Sequence, residues 1–512
     1  MADRHSLIAD YAARVERAQV YETAIETRLD FAPRLSRLLD NEIFLKREDL
    51  QPIFSFKCRG AQNRLAQIPP RQLKNGVIAS SAGNHAQGVA LAAGKLGAAA
   101  LIVMPTTTPA IKIDAVSSLG GEILLQGATY DEAYEHARRL AEARKLEFVH
   151  PFADADVIAG QGTIARELVT QSDRVPAAVF VPIGGGGLAS GIGVWLKSHW
   201  PDTRLIGVEP ADAASMKAAI EADRPVDLEQ LGNFADGVAV RRVAAETFAI
   251  CRELVDQIIT VDTDAICAAI KDVYEDTRVV DEPAGALAVA GLKRYVEEAG
   301  IRNERLIAIN SGANLNFDRL RHISERADIG QNIEALIAVE IPERKGAFLS
   351  FCRALGERSV TEFNYRYAPG EAAHIFVGVE LKGARAEAAE IVRELQSTGY
   401  RVFDLSDNEL AKLHIRHMVG GPVTDIEDEL LYRFEFPERP GALLAFLEAI
   451  GAHWNISLFH YRNHGSDYGR VLAGVQVPSD EARNFLGHLD TLGYRYWQET
   501  SNPAYELFLG PN

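Results

Sequence analysis

The chain has 512 residues, 47% of them hydrophobic and 24% charged, with a formal net charge of −17. That length exceeds one ordinary core and predicts about two to four domains, with the balance of a soluble globular protein. The negative field disfavours nucleic acid and anionic membrane as partners, because it repels phosphates. Cys58, Cys251, Cys267 and Cys352 are scattered, with no C-x-x-C pair, as in a reducing cytoplasmic setting. Residues 1–17 carry charges every few positions. No leader peptide is predicted there, and no apolar run long enough for a membrane span occurs.

In chain order, short apolar runs predict strands at 77–80, 98–104, 122–126, 177–183, 204–208 and 306–310. Helical patterns occupy 86–96 and the stretch from the glycines at 184–187 to Trp200. This alternation predicts an α/β fold with a mostly parallel sheet covered on both faces. Ligands of such sheets bind at the carboxyl ends of strands, which directs attention to the residues after Ser80, Ile183 and Asn310. The polar segment 318–334 reads as the end of this unit and a linker.

An internal repeat follows. Val339-Glu340-Ile341-Pro342-Glu343-Arg344-Lys345-Gly346-Ala347 recurs 95 positions later as Phe434-Glu435-Phe436-Pro437-Glu438-Arg439-Pro440-Gly441-Ala442. Phe363-Asn364-Tyr365-Arg366 recurs as Phe459-His460-Tyr461-Arg462, and Val377-Gly378-Val379 as Ala473-Gly474-Val475. Each copy reads strand, turn, amphipathic helix, strand, strand, helix, the start of a ferredoxin-like unit. Two copies predict pairing through sheets or helices.

Four segments carry chemistry. Lys57 lies in Ser55-Phe56-Lys57-Cys58-Arg59-Gly60. A lysine is ordinarily a solvated charge, but one held among apolar groups loses proton affinity and becomes a nucleophile or base. Ser80-Ser81-Ala82-Gly83-Asn84-His85 joins a strand to a helix. Its N–H groups and hydroxyls suit a carboxylate, though Ser81 or Asn84 could equally be a simple cap. His85 has no second histidine at metal-ligand spacing, so no metal is expected. Gly184-Gly185-Gly186-Gly187-Leu188 stands between a buried strand and a helix, where amides converge without Cβ atoms as a phosphate cradle; a flexible connector is the plain alternative. It is not a nucleotide P-loop. Ser311 follows a strand end and would be a turn residue in most proteins. Together these residues offer an amine, a phosphate cradle, a partner for a ring nitrogen and a carboxylate clamp, the contacts that pyridoxal phosphate requires.

With those residues in place, the sequence resembles the fold-type II (tryptophan synthase β-like) pyridoxal-phosphate enzymes, and among them the biosynthetic threonine dehydratases. Lys46-Arg47-Glu48-Asp49-Leu50-Gln51-Pro52, Ser55-Phe56-Lys57, Ser81-Ala82-Gly83-Asn84-His85, Gly184 to Leu188, Glu282-Pro283-Ala284-Gly285 and Ser311-Gly312-Ala313-Asn314-Leu315-Asn316 stand in family order. The resemblance implies pyridoxal 5′-phosphate bound through Lys57, Asn84, Gly184, Gly185, Gly186, Gly187, Leu188 and Ser311. Lys57 would be both the Schiff-base lysine and the general base. Ser81, Ala82, Gly83, Asn84 and His85 would hold the substrate carboxylate. It implies a catalytic domain of two α/β subdomains over 1–328 and a linker over 329–336. Two ACT-like regulatory subdomains would follow, over 337–410 and 430–502, with phenylalanine-bearing segments around Phe348, Phe363, Phe446 and Phe459 lining an effector site or packing its core. The implied activity is conversion of L-threonine to 2-oxobutanoate and ammonia, the committed step towards isoleucine. It would be inhibited by isoleucine, with valine as a second effector, in a cytoplasmic homotetramer. Serine racemases of this family carry serine where this chain has Ala82, which lowers the racemase alternative. Cys58 and Arg28 also depart from the common pattern, away from the chemistry. A serine/threonine lyase of other specificity, and a non-catalytic amino-acid sensor, remain as competing readings.

Overall fold

The computed structural model describes residues 2–512 except 357, 367–371, 383–384, 414, 419–422, 424–425, 438–441, 451–452, 463–467, 504, 506–508 and 510–512. It divides into two compact units, Met1–Ala327 and Asp328–Asn512.

The strands of the first unit are β1 (Leu29–Phe31), β2 (Glu42–Arg47), β3 (Val77–Ser80), β4 (Ala100–Met104), β5 (Glu122–Leu125), β6 (Glu147–Phe148), β7 (Ala178–Pro182), β8 (Arg204–Pro210), β9 (Gln257–Val261) and β10 (Arg305–Asn310). They form a six-stranded sheet in the order β1-β2-β10-β7-β8-β9 and a four-stranded sheet in the order β5-β4-β3-β6. Every pairing is parallel except β1 on β2. The apolar runs are continuous because both faces are covered. Ala178, Phe180, Leu306 and Ala308 pack into one core, while Val179, Val181, Ile307 and Ile309 pack into the core on the opposite face. The smaller sheet repeats the arrangement, with Val77 and Ala79 on one side and Ile78 on the other. The period of two inside an unbroken apolar run is the signature of a two-sided sheet.

The helix Lys57–Gln67 is wedged between the helices Asn84–Lys95 and Ala155–Gln171. Gly160 permits that approach, since a methyl there would lie 2.7 Å from Gly60 Cα. Beneath the helix lies a layer of charge in which Lys46, Glu48 and Arg59 are 0% exposed and Glu167 is 3% exposed. Arg59 bridges Glu48 (2.7 Å) and Glu167 (2.5 Å), and Lys46 holds the second Glu167 oxygen at 2.6 Å. The helix that begins with Lys57 is thereby tied to β2 and to Ala155–Gln171.

The polar segment 318–334 is more ordered than a linker. It contains the helix Leu320–Gly330, with Ile323, Ala327 and Ile329 buried. The division between units falls after Ala327. Residues 329–330 end that helix, residues 334–336 begin the next strand, and only 331–333 lie between.

The second unit contains β11 (Glu334–Pro342), β12 (Val360–Arg366), β13 (Ala372–Glu380), β14 (Arg401–Asp404), β15 (Glu429–Pro437), β16 (Asn455–Arg462), β17 (Tyr468–Gln476) and β18 (Arg495–Gln498). Helices Ala347–Leu355 and Arg385–Ser397 complete the first copy, and Ala442–Ile450 and Ala482–Leu492 the second. Each copy is thus βαββαβ, one strand more than the sequence pattern predicted. The eight strands make one sheet, β14-β11-β13-β12-β16-β17-β15-β18, closed at its centre by antiparallel pairing of Phe363 with Tyr461 and of Tyr365 with Phe459. Phe348, Phe363, Phe446 and Phe459 are all buried in one core shared by both copies. The second Glu-Arg-Pro-Gly turn, 438–441, lies outside the described residues. Among the described residues no helix is long and apolar enough to cross a membrane.

Candidate active site

The carboxyl ends of β7 and β10, the start of the helix Asn84–Lys95 and the start of the helix Lys57–Gln67 enclose one cleft with about 510 Å³ of atom-free space. Lys57 is the first residue of its helix. Its backbone N–H meets Ser55 Oγ at 3.4 Å, and Ser55 bridges to Gly312 beyond β10. The Lys57 ammonium lies 5.2 Å from the centre of the Phe56 ring and donates to Pro151 O at 3.2 Å. Burial pulls its pKa down to about 8, and Glu282 across the cleft works in the opposite direction. A half-buried amine with one carbonyl partner and a lowered proton affinity is poised to act as nucleophile and base near neutrality.

The glycine turn faces it. Among the described residues, no carbonyl or side chain accepts from the N–H groups of Gly184, Gly185 or Gly186. The helix Gly187–His199 begins at the end of the turn, adding first-turn N–H groups that have no partner in the helix. Gly186 has φ of 87°, the left-handed region. A methyl on Gly185 would lie 2.3 Å from the Phe152 ring. This turn of aligned, unclaimed donors at a helix N-terminus suits a phosphate.

Phe152 is set by His150, whose Nδ1 accepts from the N–H groups of Phe152 (3.2 Å) and Ala153 (2.8 Å). Burial holds His150 down at about 4, so its ring is a neutral acceptor at physiological pH. One short loop therefore presents Pro151 O to Lys57 and the Phe152 ring to the glycine turn.

The third side is polar. Asn84 Nδ2 donates to Glu282 Oε1 at 2.6 Å, and Asn84 Oδ1 accepts from Asn314 Nδ2 at 2.8 Å. Ser311 is buried and donates to Ala284 O at 3.1 Å.

Lys57, Asn84, Gly184, Gly185, Gly186, Gly187, Leu188 and Ser311 all line this cleft. Ser81, Ala82 and Gly83 form the half-buried loop leading into Asn84, with Ser81 Oγ accepting from Gly83 N–H at 3.2 Å. The His85 ring turns away: its Nε2 lies 2.9 Å from Val149 O, and burial lowers its pKa to about 3. Any contact of His85 with a cleft ligand would fall to its backbone. Phe152, Gln161, Gly237 and Glu282 also line the cleft and were not singled out from the sequence. Glu282 alone carried a signal, as part of the quoted Glu-Pro-Ala-Gly motif.

A second, smaller cleft lies in the C-terminal unit, where the two copies meet. It is lined by Glu343, Arg344 and Gly346 of the first turn, by Phe348 and Tyr365, and by Trp454, Asn455 and Ile456 of the second copy. The Tyr365 hydroxyl donates to Glu343 Oε1 at 2.7 Å.

The first cleft fits pyridoxal phosphate in each required respect: an amine of lowered proton affinity, an unclaimed amide turn, an amide at one edge and a hydroxyl at a strand end. Comparison with known proteins agrees. Residues 20–312 match the family of pyridoxal-phosphate dependent enzymes. Residues 325–415 and 420–509 each match the C-terminal regulatory domain of threonine dehydratase. The biosynthetic L-threonine dehydratase IlvA of Escherichia coli strain K12 is 54% identical, with 98% of this chain and 97% of that protein aligned. The biosynthetic, chloroplastic threonine dehydratase 1 of Solanum lycopersicum is 48% identical, over 98% of this chain and 82% of that protein. Among solved structures, the processed form of threonine deaminase isoform 2 from Solanum lycopersicum superposes with a TM-score of 0.61 at 48% identity, covering 62% of this chain and 93% of that one. Maize serine racemase superposes at 0.56 with 30% identity, over 62% and 95%. The chain therefore belongs to the pyridoxal-phosphate dependent enzymes and, within them, to the biosynthetic threonine dehydratases that carry a duplicated regulatory domain.

Proposed function

We propose that the Lys57 cleft dehydrates and deaminates L-threonine, giving 2-oxobutanoate and ammonia, and that the C-terminal unit throttles it in response to isoleucine. The observation that carries the reading is a lysine of lowered proton affinity opposite an unclaimed amide turn, in a chain whose full-length relatives are named for this activity. Bound pyridoxal phosphate supplies the electron sink that acidifies the substrate Cα–H. The loop at 81–84 holds the substrate carboxylate. Lys57 takes the Cα proton, the β-hydroxyl departs with a proton as water, and the released enamine hydrolyses to the oxoacid and ammonia. Ala82 offers no proton to the opposite face of Cα, which favours elimination over racemisation.

The cleft at the junction of the two copies suits isoleucine or valine. Phe348, Leu349 and Ile456 supply apolar wall, and the Glu343 and Arg344 side chains supply one charge of each sign for a zwitterion. The enzyme acts as a cytoplasmic homotetramer. The test is turnover of L-threonine, L-serine and D-serine by the full chain, with isoleucine titrated into it and into a chain ending at Ala327. Threonine turnover with inhibition confined to the full chain is expected. Inhibition surviving the truncation sinks the regulatory assignment, and faster turnover of either serine sinks the substrate assignment.

A further inference from the structure

Among the described residues that line the catalytic cleft, Lys57 and Glu282 are the ionisable ones. Glu282 is 7% exposed. It occupies the position before the helix Pro283–Ala299, and its side chain makes no capping bond to the first N–H groups. It turns to the cleft and accepts from Asn84 Nδ2 at 2.6 Å. Space is kept for it: a methyl on Gly312 would lie 2.7 Å from Glu282 Oε1. Asn84 is pinned at both ends, since its Oδ1 accepts from Asn314. Its amide therefore has one orientation, with the second Nδ2 hydrogen left for a ligand.

We propose that Glu282 is a positioning residue with two duties: it locks the Asn84 amide, and its carboxylate is the counter-charge that holds the proton on the lysine nitrogen across the cleft. The inference rests on Lys57 being the lysine that carries the cofactor. Other charged groups face the pair from separate elements. Asp236, Lys112 and the neighbouring buried Asp281 act on Glu282, and His85 and His150 lie near Lys57. Burial, reinforced by Asp236, pushes Glu282 up to about 7, whereas burial pulls Lys57 down to about 8. Both histidines are neutral above about pH 5. Above pH 7 the ionised Glu282 therefore keeps the lysine nitrogen positive to higher pH than burial alone would allow.

The experiment compares wild type, Glu282→Gln, Glu282→Asp and Lys57→Ala as holoenzymes. It follows the pH at which the visible absorbance of bound cofactor changes, the rate of cofactor loss on dilution, and kcat/KM against pH. Glu282→Gln keeps the shape and removes the charge. Its absorbance transition should move to lower pH by roughly one unit, and the acid limb of kcat/KM near pH 7 should flatten. Glu282→Asp keeps the charge and draws it away from Asn84. Its transition should stay in place while the cofactor leaves several-fold faster. An unmoved transition in Glu282→Gln overturns the counter-charge duty, and wild-type cofactor retention in Glu282→Asp overturns the Asn84 lock. Should Glu282→Gln fail to fold, Glu282→Ser removes the charge in its place, and an unmoved transition there overturns the counter-charge duty. Lysine-bound absorbance persisting in Lys57→Ala would refute the reading of Lys57 and leave the Glu282 result standing apart.

Discussion

A fully buried lysine and a half-buried one, eleven positions apart, contrast a saturated ammonium with an unsaturated one. Lys46 spends all three ammonium hydrogens, on Thr27 O at 2.7 Å, Glu167 Oε2 at 2.6 Å and Gln171 Oε1 at 2.9 Å. Lys57 makes one described bond, to Pro151 O at 3.2 Å. Burial lowers the proton affinity of both, but Glu167 and Glu48 oppose it at Lys46, while at Lys57 the opposing carboxylate among the described residues is Glu282. Saturating the donors makes a fixed cation that holds the fold together. Leaving donors unsaturated, beside a cleft, makes an amine that can shed its proton.

The largest effect expected is on the reactive side. Lys57→Ala should cost at least about 10³-fold in threonine turnover, and reduction of the holoenzyme with borohydride should label Lys57 in wild type. A label on another lysine breaks the comparison outright. On the structural side, Arg59→Met strands the Glu48 and Glu167 carboxylates in the layer that also seats Lys46. The cost should be about 3–5 kcal/mol of stability, read as a lower melting temperature. Molecules that remain folded should keep normal cofactor absorbance. If Arg59→Met abolishes the absorbance while melting like wild type, the charged layer is part of the chemistry and the distinction fails.

Two smaller effects sharpen the geometry of the cleft. Gly185→Ala places a methyl against the Phe152 ring and should weaken cofactor binding about tenfold, measured by titration of the apoenzyme. Phe152→Ala in the same chain should restore part of that loss, whereas a plain loss of backbone freedom would not be restored. At His150, Asn keeps an acceptor for the Phe152 and Ala153 N–H groups and should be nearly silent, while Leu should cost about 1–3 kcal/mol. The pH dependence follows from the same contacts. His85 and His150 are depressed from 6.5 to about 3 and about 4. The unfolded chain therefore takes up protons first on acidification. Their contribution to stability is complete above pH 6.5 and drains away as the pH falls towards 4 and then 3. Acid melting curves of His150→Asn should show a smaller loss over that window.

Much of this was legible in the sequence where one local pattern decides the outcome. β3, β4, β7, β8 and β10 are apolar on both faces, so their runs stand out, and four glycines after a buried strand mark the turn that lines the cleft. β2 was passed over because Glu42-Ile43-Phe44-Leu45-Lys46-Arg47 ends in charge. Lys46 is buried through Glu167 and Gln171, far along the chain, and Arg47 through Asp30 and Asp49; no local period can reveal either. β9 and the edge strands β1 and β6 are short or mixed in character. His150 and Phe152 sit in a loop whose role exists only once it is folded between Lys57 and the glycines. Glu282 stands where a helix cap is expected, so its position hides its use. The repeat was visible from paired motifs, but β14 and β18 were missed because they are largely exposed, with little apolar alternation to mark them.

Those two strands have a consequence for how the enzyme survives at high concentration. The shared sheet of the C-terminal unit contains four nine-residue strands, β11, β13, β15 and β17, rich in aliphatic and aromatic side chains. All four are interior to the sheet, and its outer rims are β14 and β18, four residues each, both opening on arginine. An open rim is a template onto which a neighbouring chain can add a strand, and short charged rims are poor templates. Joining the two copies through β12 and β16 removes two further rims that separate copies would have exposed. The duplication thus halves the number of rims open to strand addition, from four to two.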